Sequence, residues 1–110
     1  MGDQPLVRLA FAMSVYPGAE GAYRDRHNPI WPELAAALHD AGVHTYSIYL
    51  EPRTLRLVAY VEVEDVERWD AIGSTEVCRR WWASMRHLMP THPDDRPVQT
   101  DLEEVFHIEF

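Results

Sequence analysis

Two alternating segments in the middle of the chain, joined by a short turn, constrain its fold more than any other feature of the sequence. Residues 43–51 and residues 55–64 each carry apolar side chains at every second position, a pattern typical of β-strands that bury one face. The turn between them, Glu51–Thr54, is too short for the crossover that a parallel pair would need. The two segments are therefore predicted to pair as an antiparallel hairpin.

The segments on either side of the hairpin extend this prediction to the whole chain. Their periodicity predicts a strand over 7–16, helices over about 19–27, 32–41, 65–72 and 75–89, and a last strand over about 100–109. Ser74 is the expected N-cap of the longest helix, and Gly42 suits the position after the second helix. This order predicts an α+β, ferredoxin-like split β-α-β fold, with a four-stranded antiparallel sheet and helices on one face.

The second face of the predicted sheet carries tyrosines, Tyr49 among them, together with small apolar residues. A small domain seldom leaves such a surface exposed to water. We therefore expect a homodimer in which a second copy covers this face. The cleft between the sheet and its helices is the expected place for a small ligand.

The composition limits the class of protein. With 110 residues, 46% hydrophobic and 25% charged, the chain is expected to form one domain over residues 1–110. A net charge of −8 without a basic patch argues against nucleic acid and anionic membranes as partners, and no apolar segment is long enough for a membrane span. A single cysteine, Cys78, with no visible secretory signal, favours the reducing cytoplasm.

The stretch Tyr23–Glu33 combines titratable side chains with two prolines that break helices. Tyr23 and His27 are four residues apart and share one helical face. Pro29 disfavours helical backbone at the preceding residue, so the helix is expected to end at about His27. There the helix macrodipole favours the imidazolium, which makes His27 a candidate general acid. The alternative is a plain break between two helices with a surface histidine.

Aromatic residues are the second candidate constellation. Adjacent helical residues point about 100° apart, so Trp81 and Trp82 are expected to differ, one packing in the core and the other lining a cleft. An indole face suits the apolar face of a sugar ring. Tyr23, Tyr46 and Tyr49 are candidate hydrogen-bond donors to ligand hydroxyls. The alternative for all five is ordinary packing.

Metal and nucleotide cofactors are not expected. The remaining histidines lack close metal-ligand spacing such as H-E-x-x-H, and a single cysteine excludes a cysteine-rich zinc site. No glycine-rich phosphate loop is present. Cys78 lies within the apolar stripe of the longest helix, so it is expected to be buried and inert.

Several runs of the sequence resemble the L-rhamnose mutarotase family. The matching runs are Arg26–Leu34, Tyr46–Leu50, Glu67–Trp69, Ser74–Trp82, Met89-Pro90 and Leu102–Phe106. The run that ends in the double tryptophan and the His-Asn-Pro-Ile-Trp-Pro run are together very specific. The resemblance covers nearly the whole chain, from about residue 7 onward.

This resemblance implies a homodimeric ferredoxin-like fold, the dimeric α/β barrel, that works without metal or organic cofactor. It implies an isomerase that interconverts the α and β anomers of L-rhamnopyranose. The family's proton donor falls on His27, its substrate-binding tyrosines on Tyr23 and Tyr46, and its sugar-stacking pair on Trp81 and Trp82.

The implied chemistry requires two proton transfers. One proton is delivered to the ring oxygen, which we expect from His27, and one is removed from the anomeric hydroxyl. The group that removes the anomeric proton is not identified: it is a tyrosine, a carboxylate or bound water. Two other functions also stay open on this fold: a non-catalytic sugar-binding or regulatory module, and a cofactorless monooxygenase.

Overall fold

The structure, a computed structural model, describes residues 5–110. Its elements are β1 (Val7–Ser14), α1 (Glu20–Arg26), α2 (Pro32–Asp40), β2 (Val43–Glu51), β3 (Arg56–Val63), α3 (Val66–Ala71), a 3-10 turn (Ile72–Ser74), α4 (Glu76–Met85) and β4 (Thr100–Leu102). The strands form one antiparallel sheet in the order β2-β3-β1-β4. The predicted central hairpin and the predicted order of elements are confirmed.

The core lies on the face of the sheet that packs against the helices. β1 and β3 place Phe11 opposite Ala59 and Met13 opposite Leu57, and all four side chains are buried. The helices and the segments beside them add further buried side chains to the same cluster: Tyr23, Leu34, Trp81, Met85, Leu88 and Met89. The alternating apolar residues of β1 and β3 are therefore the ones that form the buried face of the sheet.

The opposite face of the sheet has no helix packed on it within residues 5–110 and carries a row of apolar side chains. Tyr49 of β2 lies beside Val58 of β3, which in turn lies beside Ala12 of β1. Tyr49 is 66% exposed and Leu102, on β4, is 42% exposed. We call this surface, which includes these four residues, the open face.

The predicted last strand, residues 100–109, is wrong in its length. β4 pairs with β1 over Thr100–Leu102 alone, and residues 103–110 have no regular secondary structure. Val105 is 92% exposed and Phe106 is 75% exposed. Alternation of this kind indicates a surface that buries apolar side chains, and the described chain supplies no such surface for this segment.

The predicted bounds of the longest helix are also wrong at both ends. Thr75 rather than Ser74 is the N-cap of α4, because the Thr75 hydroxyl accepts a hydrogen bond from the Cys78 N–H at 3.3 Å. Ser74 belongs to the preceding 3-10 turn. α4 ends at Met85, and the N–H of Leu88 donates to the Met85 carbonyl at 2.9 Å in a tighter turn that keeps Leu88 in the core.

Two kinds of feature are missing from residues 5–110. No helix there is long and apolar enough to cross a membrane. Nor does that range hold a group of three or more His, Cys, Asp or Glu side chains placed to bind a metal ion.

Candidate functional site

A cavity of about 890 Å³ lies between the core face of the sheet and the helices. The four strands form one side of its wall. The four helices, the 3-10 turn and the loop after α4 form the other. The volume is within the range of small-molecule sites. All five residues predicted to form the site line this cavity: Tyr23, His27, Tyr46, Trp81 and Trp82.

The end of α1 positions His27. The last carbonyls of a helix lack partners within it, and two polar side chains fill that role here. Nδ1 of His27 lies 2.7 Å from the Tyr23 carbonyl oxygen, and Nδ2 of Asn28 donates to the Arg24 carbonyl at 2.8 Å. A carbonyl only accepts, so Nδ1 of His27 carries a hydrogen. Nε2 is the nitrogen that remains for a ligand.

Aromatic rings hold the His27 imidazole on two sides. The ring centroids of Tyr23 and His27 are 4.6 Å apart, with the ring planes tilted by 31°. The Trp81 ring meets the imidazole edge to face at 5.1 Å, and Trp31 meets Trp81 in the same way at 5.1 Å. These contacts fix the orientation of the imidazole as well as its position.

Burial lowers the pKa of His27, and the hydrogen bond to the Tyr23 carbonyl opposes this shift only in part. The expectation that the helix C-terminus holds the imidazolium near neutral pH is therefore wrong. Removing the charged ring from water favours the neutral form more than the hydrogen bond to the Tyr23 carbonyl favours the charged form. At neutral pH the ring is mainly neutral, with its hydrogen on Nδ1.

Of the two predicted tyrosines, Tyr23 is buried and Tyr46 is partly buried. Burial raises the pKa of Tyr23 and of Tyr46 well above the ordinary value, so both phenols keep their protons. Tyr46 packs edge to face against Phe11 and Trp69, at centroid distances of 6.4 Å and 5.5 Å. Tyr49, the third candidate donor, lies on the open face and does not line the cavity.

The tryptophan pair differs in burial as predicted, but both rings line the cavity rather than one alone. Trp81 is 8% exposed and belongs to the core, whereas Trp82 is only partly buried. Two neighbours fix the Trp82 ring. The Arg96 guanidinium lies over it, 5.0 Å from the centroid, and a Cβ on Gly73 would come within 2.8 Å of its Cη2 atom.

Several cavity residues escaped the sequence analysis. Glu20 was detectable, because it precedes His27 by seven residues and so shares the same helical face. Arg96, Gln99 and Asp101 come from the loop after α4 and from β4. An irregular loop carries no periodicity, so nothing in the sequence placed these residues beside the helices.

Cys78 also lines the cavity. Its side chain is buried, and burial raises the pKa of the thiol to about 11. The predicted burial of Cys78 is confirmed. The thiol is protonated at neutral pH because of its raised pKa, and it is therefore a poor nucleophile.

The chain is similar to known proteins in sequence and in fold. The family model for L-rhamnose mutarotase matches residues 8–108. An L-rhamnose mutarotase from Klebsiella pneumoniae (strain 342) is 52% identical over 103 residues, 94% of this chain and 99% of the relative. The crystal structure of an L-rhamnose mutarotase from Formosa agariphila has a TM-score of 0.84 at 39% identity, covering 94% of this chain and 99% of that one.

A more distant solved structure shares the fold alone. A dimeric ferredoxin-like protein from an uncultured marine organism is 14% identical, with a TM-score of 0.65 over 94% of this chain and 98% of that one. The predicted α+β, ferredoxin-like class is confirmed.

Proposed function

This chain belongs to the L-rhamnose mutarotase family, and we propose that it interconverts the α and β anomers of L-rhamnopyranose as a step of L-rhamnose metabolism. The observation that carries the proposal is the convergence of His27, Tyr23, Tyr46 and the pair Trp81-Trp82 on one cavity. These are the residues that the family resemblance assigns to the site. The proposed reaction uses no metal and no organic cofactor.

In the proposed mechanism, His27 protonates the ring oxygen of the sugar. Nε2 is the donating atom, because Nδ1 is held by the Tyr23 carbonyl at 2.7 Å. The bond between C1 and the ring oxygen then breaks, and the open aldehyde turns about its C1–C2 bond before the ring closes on either face. On closure the imidazole takes the proton back, as general acid–base catalysis requires.

The remaining site residues bind the sugar in this proposal. The Trp82 ring offers a flat apolar surface for the C–H face of the pyranose. The phenols of Tyr23 and Tyr46 keep their protons because burial raises their pKa, so they donate to sugar oxygens. Apolar contacts around C6 discriminate by only about 1–3 kcal/mol, so we expect activity on several related L-sugars.

The composition of the cavity wall favours a sugar over a flat aromatic substrate. Charged and amide side chains lie among its apolar residues, including Glu20, Arg24, Asn28, Arg96 and Gln99. A wholly apolar pocket would have suited the substrate of a cofactorless monooxygenase. An acid–base side chain set between aromatic rings likewise favours an enzyme over a non-catalytic binding module.

The test of the proposed activity is proton NMR saturation transfer on equilibrated L-rhamnose. Irradiating one anomeric signal in the presence of protein is expected to reduce the other signal far more than in buffer alone. Exchange at the buffer rate, with the protein folded by circular dichroism, would refute the proposed function.

The protonation state of His27 gives a second test. Because burial lowers the pKa of His27, the donating imidazolium is a minor form at neutral pH. We expect the catalysed exchange rate, after subtraction of the buffer rate, to increase as the pH falls from about 8 to about 6, toward the ordinary histidine pKa. A rate that decreases over this interval would assign His27 the opposite, proton-accepting role.

We also propose that the chain is a single domain that acts as a homodimer in the cytoplasm. The open face supports the dimer, because a surface bearing Tyr49 at 66% exposure and Leu102 at 42% is unfavourable in water. The apolar side chains of residues 103–110 are exposed as well, and the distant neighbour of the same fold is described as dimeric. The lone Cys78 supports a reducing compartment.

Sedimentation equilibrium tests the dimer. A charge placed on the open face by Tyr49→Glu is expected to convert the dimer to monomer. Val66→Glu, on α3 at 38% exposure, is the matched control on the helix side and is expected to leave the dimer intact. A wild-type protein that sediments as a monomer would refute the dimer.

A further inference from the structure

Glu20 lines the cavity, and one of its two carboxylate oxygens has no hydrogen-bond donor within residues 5–110. Glu20 is the first residue of α1 and lines the cavity. Its Oε1 atom is enclosed, and no group of residues 5–110 donates to it. A carboxylate oxygen accepts hydrogen bonds, and leaving one enclosed without a donor is unfavourable. This is the arrangement of a group whose partner arrives with the ligand.

The helix places Glu20 on the same side as the proposed proton donor. Tyr23 follows Glu20 by three residues and His27 by seven, so the three side chains lie along one face. Two helical turns separate Glu20 from His27, a rise of about 10 Å. The two side chains therefore reach the cavity from positions two helical turns apart.

Glu20 is also the carboxylate best suited to proton transfer in this cavity. Asp70 and Asp101 line the same cavity, but both are exposed to water, whereas Glu20 is partly buried and its Oε1 atom is enclosed. The phenols of Tyr23 and Tyr46 do not compete for the role, since burial raises the pKa of both and keeps them protonated.

We infer that Glu20 accepts the proton of the anomeric hydroxyl while His27 protonates the ring oxygen. This inference rests on the proposed mutarotase function and assigns the second group that the reaction needs. As the hydroxyl proton moves to Glu20, the oxygen's electron pair forms the C1–O1 double bond. The electron pair of the breaking C1–O5 bond goes to the ring oxygen, which takes the proton from Nε2. Ring closure reverses both transfers, so each side chain regains its starting state.

The test compares Glu20→Gln with Glu20→Asp in the saturation-transfer measurement. Glutamine keeps the shape of the side chain but is not a proton acceptor. Its kcat is expected to fall by about 10²–10⁴-fold, the usual contribution of one acid–base group, with KM for L-rhamnose nearly unchanged. Aspartate keeps the carboxylate on a shorter arm and is expected to retain an intermediate kcat. Asp25→Asn removes an exposed carboxylate from the same helix and is the matched control, expected to match the wild type.

The outcomes separate this inference from the function on which it rests. Wild-type protein that fails to accelerate anomer exchange would overturn the proposed function and this inference together. An active wild type with a Glu20→Gln kcat equal to its own, or with a loss confined to KM, would overturn the inference alone. Circular dichroism on each variant confirms that the measured loss belongs to a folded protein.

Discussion

The contact between Gly73 and Trp82 makes the Trp82 ring sensitive to a single added methyl group. A Cβ on Gly73 would lie 2.8 Å from Cη2 of Trp82 and 3.3 Å from a guanidinium nitrogen of Arg96. Carbon atoms in contact prefer about 3.5–4.0 Å, so Gly73→Ala requires the ring tip to move by about 0.7 Å or more. The Arg96 guanidinium over the ring limits the directions in which it can move.

Gly73→Ala is therefore expected to reduce both the stability of the protein and its activity. Overpacking of this kind costs about 1–3 kcal/mol, and a displacement of about 1 Å at a positioned group can cost 10²-fold in rate. We expect kcat/KM for anomer exchange to fall by about 10- to 100-fold, measured by saturation transfer over a range of L-rhamnose concentrations.

Gly21→Ala is the matched control for this prediction. Gly21 lies within α1, and a Cβ there would meet nothing within 4 Å. The same change is expected to stabilise the protein by about 0.5–1 kcal/mol, because alanine loses less backbone entropy than glycine in a helix, and to leave kcat/KM unchanged. A Gly73→Ala variant with the wild-type kcat/KM would refute the positioning of the Trp82 ring derived from this contact.

Three further predictions concern stability and reactivity. Because burial lowers the pKa of His27, the unfolded chain binds more protons than the folded one below about pH 6.5; acidification through that range is expected to destabilise the wild type more than His27→Gln, as measured by denaturant unfolding at two pH values. Cys78 is buried with a pKa of about 11, so a thiol reagent is expected to label it at pH 8 only as fast as the protein opens, and rapid labelling of folded protein would contradict this. Trp81→Ala is expected to cost about 3–5 kcal/mol of unfolding free energy, clearly more than Trp82→Ala, and equal losses would contradict the assignment of Trp81 alone to the core.

Hydrophobic periodicity and the backbone preferences of single residues predicted most of the fold from the sequence. The alternation of β2 and β3 predicted the hairpin, and Pro29 placed the end of α1 at His27, where the structure has it. The N-cap of α4 could not be chosen in this way, because Ser74 and Thr75 both have a side-chain hydroxyl that can cap a helix. Residues 103–110 alternate as a strand does but pair with no described strand, so alternation alone overestimated the length of β4.

The candidate site was predictable where its residues lie on regular elements. Spacing brought Tyr23 and His27 to one face, and the same rule applied to Glu20 would have included it. Arg96 reaches the Trp82 ring from a loop whose path the sequence pattern does not define. The protonation of His27 depends on burial by side chains distant in sequence, which local reasoning about the helix end did not include.

Saturation transfer on L-rhamnose with wild-type protein and His27→Ala, side by side at equal concentration, tests the central claim most directly. The wild type is expected to exchange magnetisation between the two anomers well above the buffer rate, and His27→Ala is expected to return that rate to about the buffer value while its circular dichroism spectrum stays native. A folded His27→Ala variant that retains the wild-type rate would contradict the role of His27 in this cavity.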